Sequence, residues 1–272
     1  MAILKCVRCS RPGLVRDESG LVFCPDCRHS YPANGGIPDF RPPAPWPLPR
    51  LYQDDDYLAW LDFQSKSKEY FYKPGSLMAY VQNAGHRIIR RMCRRRRLGH
   101  LLDLGCGDGH HYPYLDQTDG YLGLDMDQKS LEAARSRFPR LSLIRADACN
   151  IPINDGQVDA VISIYALEHF IYLDRVLEEI ERVLAPDGDL FISVPTEGSL
   201  AWSAGRRLTT ARKFTSIAMN YTRAQEIDHI NCVWQLDRAI RRHFRVVERV
   251  MFPLALPIFQ LNLVVAYHCR AR

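Results

Sequence analysis

Leu101-Leu102-Asp103-Leu104-Gly105-Cys106-Gly107-Asp108-Gly109 decides the fold. A short apolar run ends in a carboxylate and passes into three alternating glycines. The run predicts a buried strand, and the glycines predict a tight turn whose backbone lets a ligand approach closely. Helical spacing resumes beyond it, and a helix N-terminus at that place favours negative charge. The Gly-x-Gly-x-Gly spacing differs from the Gly-x-Gly-x-x-Gly of dinucleotide binders. Asp103, at the strand end, is placed to meet a positively charged ligand group.

Strand-like runs then alternate with helix-period stretches, the pattern of a mostly parallel sheet flanked by helices. The strands are expected at His100–Leu104, Tyr121–Asp125, Leu141–Arg145, Val158–Ile164 and Leu190–Val194, with a closing antiparallel pair at Val246–Met251 and Leu263–His268. Leu173, Val176, Leu177, Ile180, Val183 and Leu184 recur at helical spacing and predict a helix that stops before a turn at Pro186-Asp187-Gly188. Asp127 reads as the N-cap of a helix carrying Leu131, Ala134 and Phe138.

Further motifs follow in order: Gly123-Leu124-Asp125-Met126-Asp127, Arg145-Ala146-Asp147-Ala148-Cys149, Val158-Asp159-Ala160-Val161-Ile162-Ser163, Leu167-Glu168-His169 and Leu184-Ala185-Pro186-Asp187-Gly188. With the glycine turn they resemble the class I S-adenosylmethionine-dependent methyltransferases over roughly residues 100–195. The last motif departs mildly, since Asp187 stands where a glycine is common. The resemblance implies an α/β fold, a Rossmann-like seven-stranded sheet with helices on both faces. It implies S-adenosylmethionine as cofactor, with Asp103, Gly105, Cys106, Gly107 and Gly109 around its methionine part. By the same resemblance Asp125 accepts from the ribose hydroxyls, Met126 lies against the adenine, Asp147 accepts from the adenine amino group, and Ala148 and Ser163 complete the pocket. Methyl transfer needs a nucleophile lined up with the sulfonium, and an oxygen nucleophile also needs a base. His169 and His229 are the candidates. His169 is favoured because strand C-terminal ends face the ligand crevice. For His110 and His111 the sequence does not separate substrate contact from helix initiation.

Cys6-Val7-Arg8-Cys9 and Cys24-Pro25-Asp26-Cys27 lie ahead of this domain. Two Cys-x2-Cys pairs offer four thiolates to one tetrahedral zinc ion, a closed and therefore structural site. A module this small needs the metal to fold. With Tyr31-Pro32 and Gly35-Gly36-Ile37-Pro38-Asp39-Phe40, the segment resembles the small zinc-binding activator of tRNA and rRNA methyltransferases. The expected organisation is a zinc-binding β module at 1–40, a Pro-rich linker at 41–53 and a catalytic domain at 54–272. The catalytic domain has a helical lead-in over 54–99 and a substrate cover over 195–230. The linker region, residues 38–50, holds 6 prolines in 13 positions.

The chain has 272 residues and a net charge of +5. Residues 1–50 carry 7 Lys/Arg against 4 Asp/Glu, residues 51–99 carry 10 against 5, and residues 100–272 carry 19 against 22. No membrane span is expected, because Pro253, Pro257, Gln260 and Asn262 interrupt the most apolar late stretch. Nine cysteines without a secretory leader pattern point to a reducing, cytoplasmic setting.

The acceptor stays open. The compact domain and the aromatic-rich cover favour a small molecule: a sugar, a lipid-linked glycan or a secondary metabolite. Arg206, Arg207, Arg212, Lys213 and Arg223 in the cover suggest that it carries phosphate or carboxylate. The alternative is RNA, favoured by the zinc module and by 7 arginines within Arg87–Arg97. A non-catalytic cofactor-binding scaffold is the third reading, and the intact cofactor motifs argue against it.

Overall fold

The computed structural model describes residues 3–42, 46–47, 49–66, 73, 75–94, 96, 98–115, 118–208 and 220–272. A seven-stranded sheet organises the larger part of the chain, in spatial order β11-β12-β10-β9-β6-β7-β8. Its strands are β6 (His100–Leu104), β7 (Gly120–Asp125), β8 (Ser142–Arg145), β9 (Val158–Ile164), β10 (Leu184–Pro195), β11 (Phe244–Phe252) and β12 (Val264–Ala271). The five from β6 to β10 run parallel, while β12 is antiparallel to both β10 and β11. Order reverses between β6 and β9, so the crevice at their C-terminal ends is the natural ligand position.

Helices cover the sheet for reasons visible in their residues. α4 (Leu173–Val183) buries Leu173, Val176, Leu177, Ile180 and Val183, a single apolar stripe. α2 (Leu77–Cys93) begins at Ser76, whose hydroxyl accepts from the Ala79 amide. α3 (Gln128–Arg137) begins at Asp127, whose carboxylate accepts from the Ser130 amide, as the sequence predicts. The remaining described helices are α1 (Asp55–Lys66), α5 (Leu200–Leu208), α6 (Tyr221–Asp228) and α7 (Val233–His243). No described helix is long and apolar enough to cross a membrane. The turn expected at Pro186-Asp187-Gly188 lies inside β10 instead. There the pairing with β9 shifts register between Leu184 and Asp189, so a bulge absorbs the extra residues.

The N-terminal segment forms a three-stranded sheet, β1 (Val15–Arg16), β2 (Val22–Phe23) and β3 (Ser30–Tyr31), then a pair, β4 (Ala33–Asn34) and β5 (Ile37–Pro38). It packs onto the large sheet at the edge that β8 would otherwise expose. Asp39 bridges Arg145 in parallel, and the Phe40 amide donates to the Arg145 carbonyl at 2.7 Å. A second attachment pairs Leu4 with Ile153, flanked by Lys5 N to Pro152 O at 3.0 Å and Asn154 N to Ile3 O at 2.8 Å. Phe40, Tyr31 and Leu4 share one buried cluster with Leu102, Leu124 and Ile144 of the large sheet. Ile37 joins Cys106, Leu131, Ala134, Leu141 and Leu143 behind the glycine turn.

Within the linker, Tyr172 donates its hydroxyl to Pro47 O at 2.7 Å and its ring meets Trp46 at 5.2 Å; residues 43–45 and 48 lie outside the described residues.

Truncating Ile37 to alanine removes fully buried contacts from both parts of the protein and is expected to cost about 2–5 kcal/mol. Urea unfolding of the full chain followed by far-UV circular dichroism measures it. A main transition left unmoved would show that the module does not support the large sheet.

Candidate functional site

At the end of β6, Gly105 adopts φ +74° and a methyl group there would fall 2.5 Å from the Ala166 Cβ. The chain can therefore turn only as glycine at this point. Gly107 is also left-handed, at φ +52°, with open space beside it, and its amide donates to Asp125 Oδ2 at 2.8 Å. Asp125 Oδ1 accepts from the Asp127 amide at 2.8 Å, so this carboxylate ties the glycine loop to the end of β7. Burial raises its pKa, against the pull of those amides.

Asp103 is 2% exposed, and its Oδ2 accepts from the Tyr121 hydroxyl at 2.7 Å. Burial, with a contribution from Asp125, lifts its pKa to about 7 although the hydroxyl opposes the change. Met126 is exposed at the loop tip, and its carbonyl accepts from Arg145 Nε at 2.9 Å. Arg145 Nη1 in turn reaches Asp39 Oδ2 at 3.3 Å, a polar path from the N-terminal module to this loop. Asp147 is buried and caps its own turn by accepting from the Cys149 amide at 2.8 Å, with Ala148 buried beside it.

Two expected pocket residues take other positions. Ser163 is fully buried and donates to the Leu104 carbonyl at 3.0 Å, bracing β9 against β6 beneath the loop. The Cys106 thiol packs into the cluster behind the turn, which leaves only its backbone to the ligand side.

His110 and His111 join a group that sequence reading missed. His111 Nδ1 lies 3.0 Å from His86 Nδ1, and both rings stack on Tyr114. His110 Nε2 lies 2.9 Å from Asn83 Oδ1. Burial holds His86 well below the usual imidazole range and His111 at about 3, so both are neutral. The group pins α2 to the chain that follows the glycine turn.

His169 and His229 come together, with ring centroids 4.9 Å apart. His169 follows β9, and its Nδ1 lies 2.8 Å from the Asp228 carbonyl and 3.2 Å from Asp228 Oδ1. His229 Nδ1 lies 2.9 Å from Glu197 Oε2, just past β10, and its Nε2 lies 3.8 Å from Asp228 Oδ2. Trp60 of α1 donates to that same Oδ2 at 2.8 Å. Glu168 is 1% exposed and reaches His169 Nε2 at 3.9 Å. Burial lowers the His169 pKa, but the Asp228 carboxylate outweighs it and carries the imidazole up to about 10. Asp228 is held far below the usual carboxylate range by the two histidines in spite of its burial. Glu168 is raised by burial. The His169 side chain is 35% exposed, so the cluster opens at that ring.

The arginine run sits elsewhere. Arg96 bonds Asp189 at 3.0 Å, and Asp189 is level with Ala160 and Leu101 at the starting end of the strands. Gly105 lies at the opposite end, roughly 13 Å further along β6. Arg87 bonds the Tyr80 carbonyl at 2.8 Å and lies over its ring. Arg95 and Arg97 lie outside the described residues, as do Arg212, Lys213 and the side chain of Arg206. Arg223, expected at the mouth, is paired with Asp54 at 2.7 Å.

In the N-terminal module, Cys6 and Cys27 sulfurs lie 3.6 Å apart and Cys9 and Cys24 sulfurs 3.7 Å apart, all four within 4.8 Å of one another. Four sulfurs around a tetrahedral zinc ion stand about 3.8 Å apart. Each pair closes the same turn: Cys6 N bonds Arg11 O and Cys24 N bonds His29 O, with Ser10 and Arg28 at φ 59° and 58°. The Tyr31 hydroxyl donates to Cys6 Sγ at 2.9 Å.

Residues 102–192 match the family model of a methyltransferase domain. A probable S-adenosylmethionine-dependent methyltransferase of Mycolicibacterium smegmatis is 28% identical over 123 residues, 44% of this chain and 47% of that protein. The phthiotriol/phenolphthiotriol dimycocerosates methyltransferase of Mycobacterium tuberculosis is 32% identical over 130 residues, with the same shares. The chain thus spans about half the length of the curated relatives it matches. Among solved structures, the N-methyltransferase NodS of Bradyrhizobium japonicum, in complex with S-adenosyl-L-homocysteine, aligns with a TM-score of 0.55 at 14% identity, over 80% of this chain and 99% of that one. A complex of the Haloferax volcanii Trm112 methyltransferase activator with a putative methyltransferase aligns at 0.51 and 19% identity, over 80% and 96%. These structures share the fold.

Replacing Gly105 with alanine forces a left-handed alanine against Ala166 and is expected to cost about 2–4 kcal/mol. Thermal unfolding of the variant checks it, and an unchanged melting temperature would mean that the turn has another conformation.

Proposed function

We propose, on the premise that this chain carries a class I S-adenosylmethionine-dependent methyltransferase domain, that it methylates an oxygen or nitrogen of a small-molecule acceptor. The observation that carries the reading is the His169–Asp228–His229 cluster beyond the C-terminal ends of β9 and β10, joined to the glycine loop through Ala166, which accepts from the His169 amide and packs against Gly105. Such a mouth suits an acceptor drawn into the fold, whereas the described arginines of the 87–97 run lie on α2 or, for Arg96, at the far end of the strands, with Arg96 already paired. A sugar, a lipid-linked glycan or a secondary metabolite would fit. The likeness to a methyltransferase named for a lipid substrate is compatible with this.

Bound S-adenosylmethionine supplies a sulfonium-activated methyl group. Asp103 holds the cationic amino-acid end of that molecule, and the Gly105–Gly109 backbone leaves the space for it. Asp125 accepts from the ribose hydroxyls while its amide bonds keep the loop in place. Met126 covers the adenine, and Asp147 and Ala148 bound its far side. His169 and His229 meet the acceptor nucleophile, with the His229 ring oriented by Glu197. Cys6, Cys9, Cys24 and Cys27 hold a structural zinc ion, and the module serves its own catalytic domain by covering the β8 edge.

The Asp103 carboxyl must be ionised to receive a cation. Cofactor affinity is therefore expected to fall about tenfold per unit as the pH drops below about 7. Calorimetric titration with S-adenosylmethionine across that range measures the slope. Affinity that does not change with pH would remove Asp103 from the site.

The acceptor class is tested with methyl-labelled S-adenosylmethionine and cell extract, half of it treated with ribonuclease. Label is expected in low-mass or lipid-soluble material that survives the nuclease. Label confined to a nuclease-sensitive, high-mass fraction would make RNA the acceptor.

A further inference from the structure

His169, Asp228 and His229 present two imidazoles and a carboxylate whose ligand atoms lie within 4.8 Å of one another, outside the cysteine module. We infer that these three side chains form a second metal site, one for a divalent transition cation that binds and activates the acceptor. The inference rests on the methyl-transfer reading for its purpose, though not for its geometry.

Donor atoms around a tetrahedral ion with bonds near 2.1 Å stand about 3.4 Å apart. His169 Nδ1 is 3.2 Å from Asp228 Oδ1 and His229 Nε2 is 3.8 Å from Asp228 Oδ2; a cation on Nδ1 would replace that nitrogen's 2.8 Å contact with the Asp228 carbonyl and leave the ring proton on Nε2, which faces Glu168 Oε1 at 3.9 Å. The surroundings match those of a metal centre as well. A ligating histidine is ordinarily oriented by a carboxylate on its other ring nitrogen, and Glu197 occupies that position on His229 Nδ1 at 2.9 Å. Asp228 is braced in turn by the Trp60 indole at 2.8 Å. A separate observation points to an absent cation. Glu168, 1% exposed and next to His169 in sequence, has an Oε2 that is buried without a hydrogen-bond partner. Three carboxylates, Glu168, Glu197 and Asp228, thus stand around the two imidazoles, a set of nitrogen and oxygen donors that could surround a cation.

Two nitrogens and hard oxygens suit zinc, cobalt, nickel, iron or manganese better than magnesium or calcium. The partial exposure of His169 leaves a side open to an incoming oxygen. An acceptor hydroxyl held there would lose its proton to water more readily. Its electron pair would form the O–CH3 bond while the C–S bond breaks, and the sulfonium would leave as a neutral thioether. The cation thereby makes an oxygen acceptor the favoured class.

The probe is cobalt(II), added without cofactor or acceptor to the full chain already loaded with zinc. One equivalent is expected to bind, with the absorption of nitrogen–oxygen ligation and without thiolate charge transfer. Asp228→Asn and His229→Gln should each weaken it by about tenfold or more. Asp228→Asn keeps an acceptor for Trp60, so its fold is checked by melting temperature, and the wild-type spectrum stands if His229→Gln fails to fold. No second ion bound at about 1 mM cobalt, a spectrum of thiolate ligation, or equal binding by a folded Asp228→Asn variant would overturn the site. Cofactor affinity measured on the same preparation separates the two ideas. Cobalt binding without cofactor binding would fault the methyltransferase reading and leave the metal site standing.

Discussion

Asp103 is a carboxylate that the fold takes out of water at the end of its central strand, where its Oδ2 accepts from the Tyr121 hydroxyl. Burial lifts its pKa to about 7 against the pull of that hydrogen bond. Neighbouring features serve the same position. Gly105 must be left-handed because Ala166 occupies the space of a side chain, and Gly107 leaves an open flank. Asp125 gives both oxygens to the loop backbone and so fixes it before any ligand arrives. Local order and a destabilised charge are built together, as expected where a protein keeps binding energy for a ligand.

The N-terminal module extends this logic to the sheet edge. An exposed β8 would leave a row of unpaired backbone groups at the edge of the sheet. The segment around Asp39 and Phe40 pairs with Arg145, and Ile37 fills the cluster behind Cys106. Through Arg145 the contact continues to the Met126 carbonyl. The module and the cofactor loop are therefore parts of one packed unit.

Much of this was legible in the sequence, because strand and turn signals are local. β9 matches its predicted span, Asp127 caps α3, and the glycine turn stands where the motif put it, although among the described residues a short 3-10 turn at Tyr112–Tyr114 follows it in place of the expected helix. Long-range partners were not legible. Trp60 and Asp228 are 168 residues apart, and nothing in either neighbourhood announces that they meet. Glu197 and His86 escaped for the same reason. Ser163 looked like a pocket residue, but the pairing of β9 with β6 turns it inward to Leu104. The arginine run suggested a phosphate surface, yet Arg96 is bound by Asp189, whose own charge is stabilised down to about 2 by His268, Arg270 and Arg96 against the cost of burial. Charge counted along a chain does not reveal which charges the fold has already paired.

The account turns on Asp103 as a buried charge kept for a cationic ligand. Calorimetric titration of Asp103→Asn with S-adenosylmethionine near pH 8, alongside its melting temperature without ligand, tests it most directly. The account predicts affinity reduced by about ten- to a hundredfold and a ligand-free protein at least as stable as the parent, since an uncompensated charge has been removed. Unchanged affinity, or a variant that binds weakly only because it no longer folds, would contradict it.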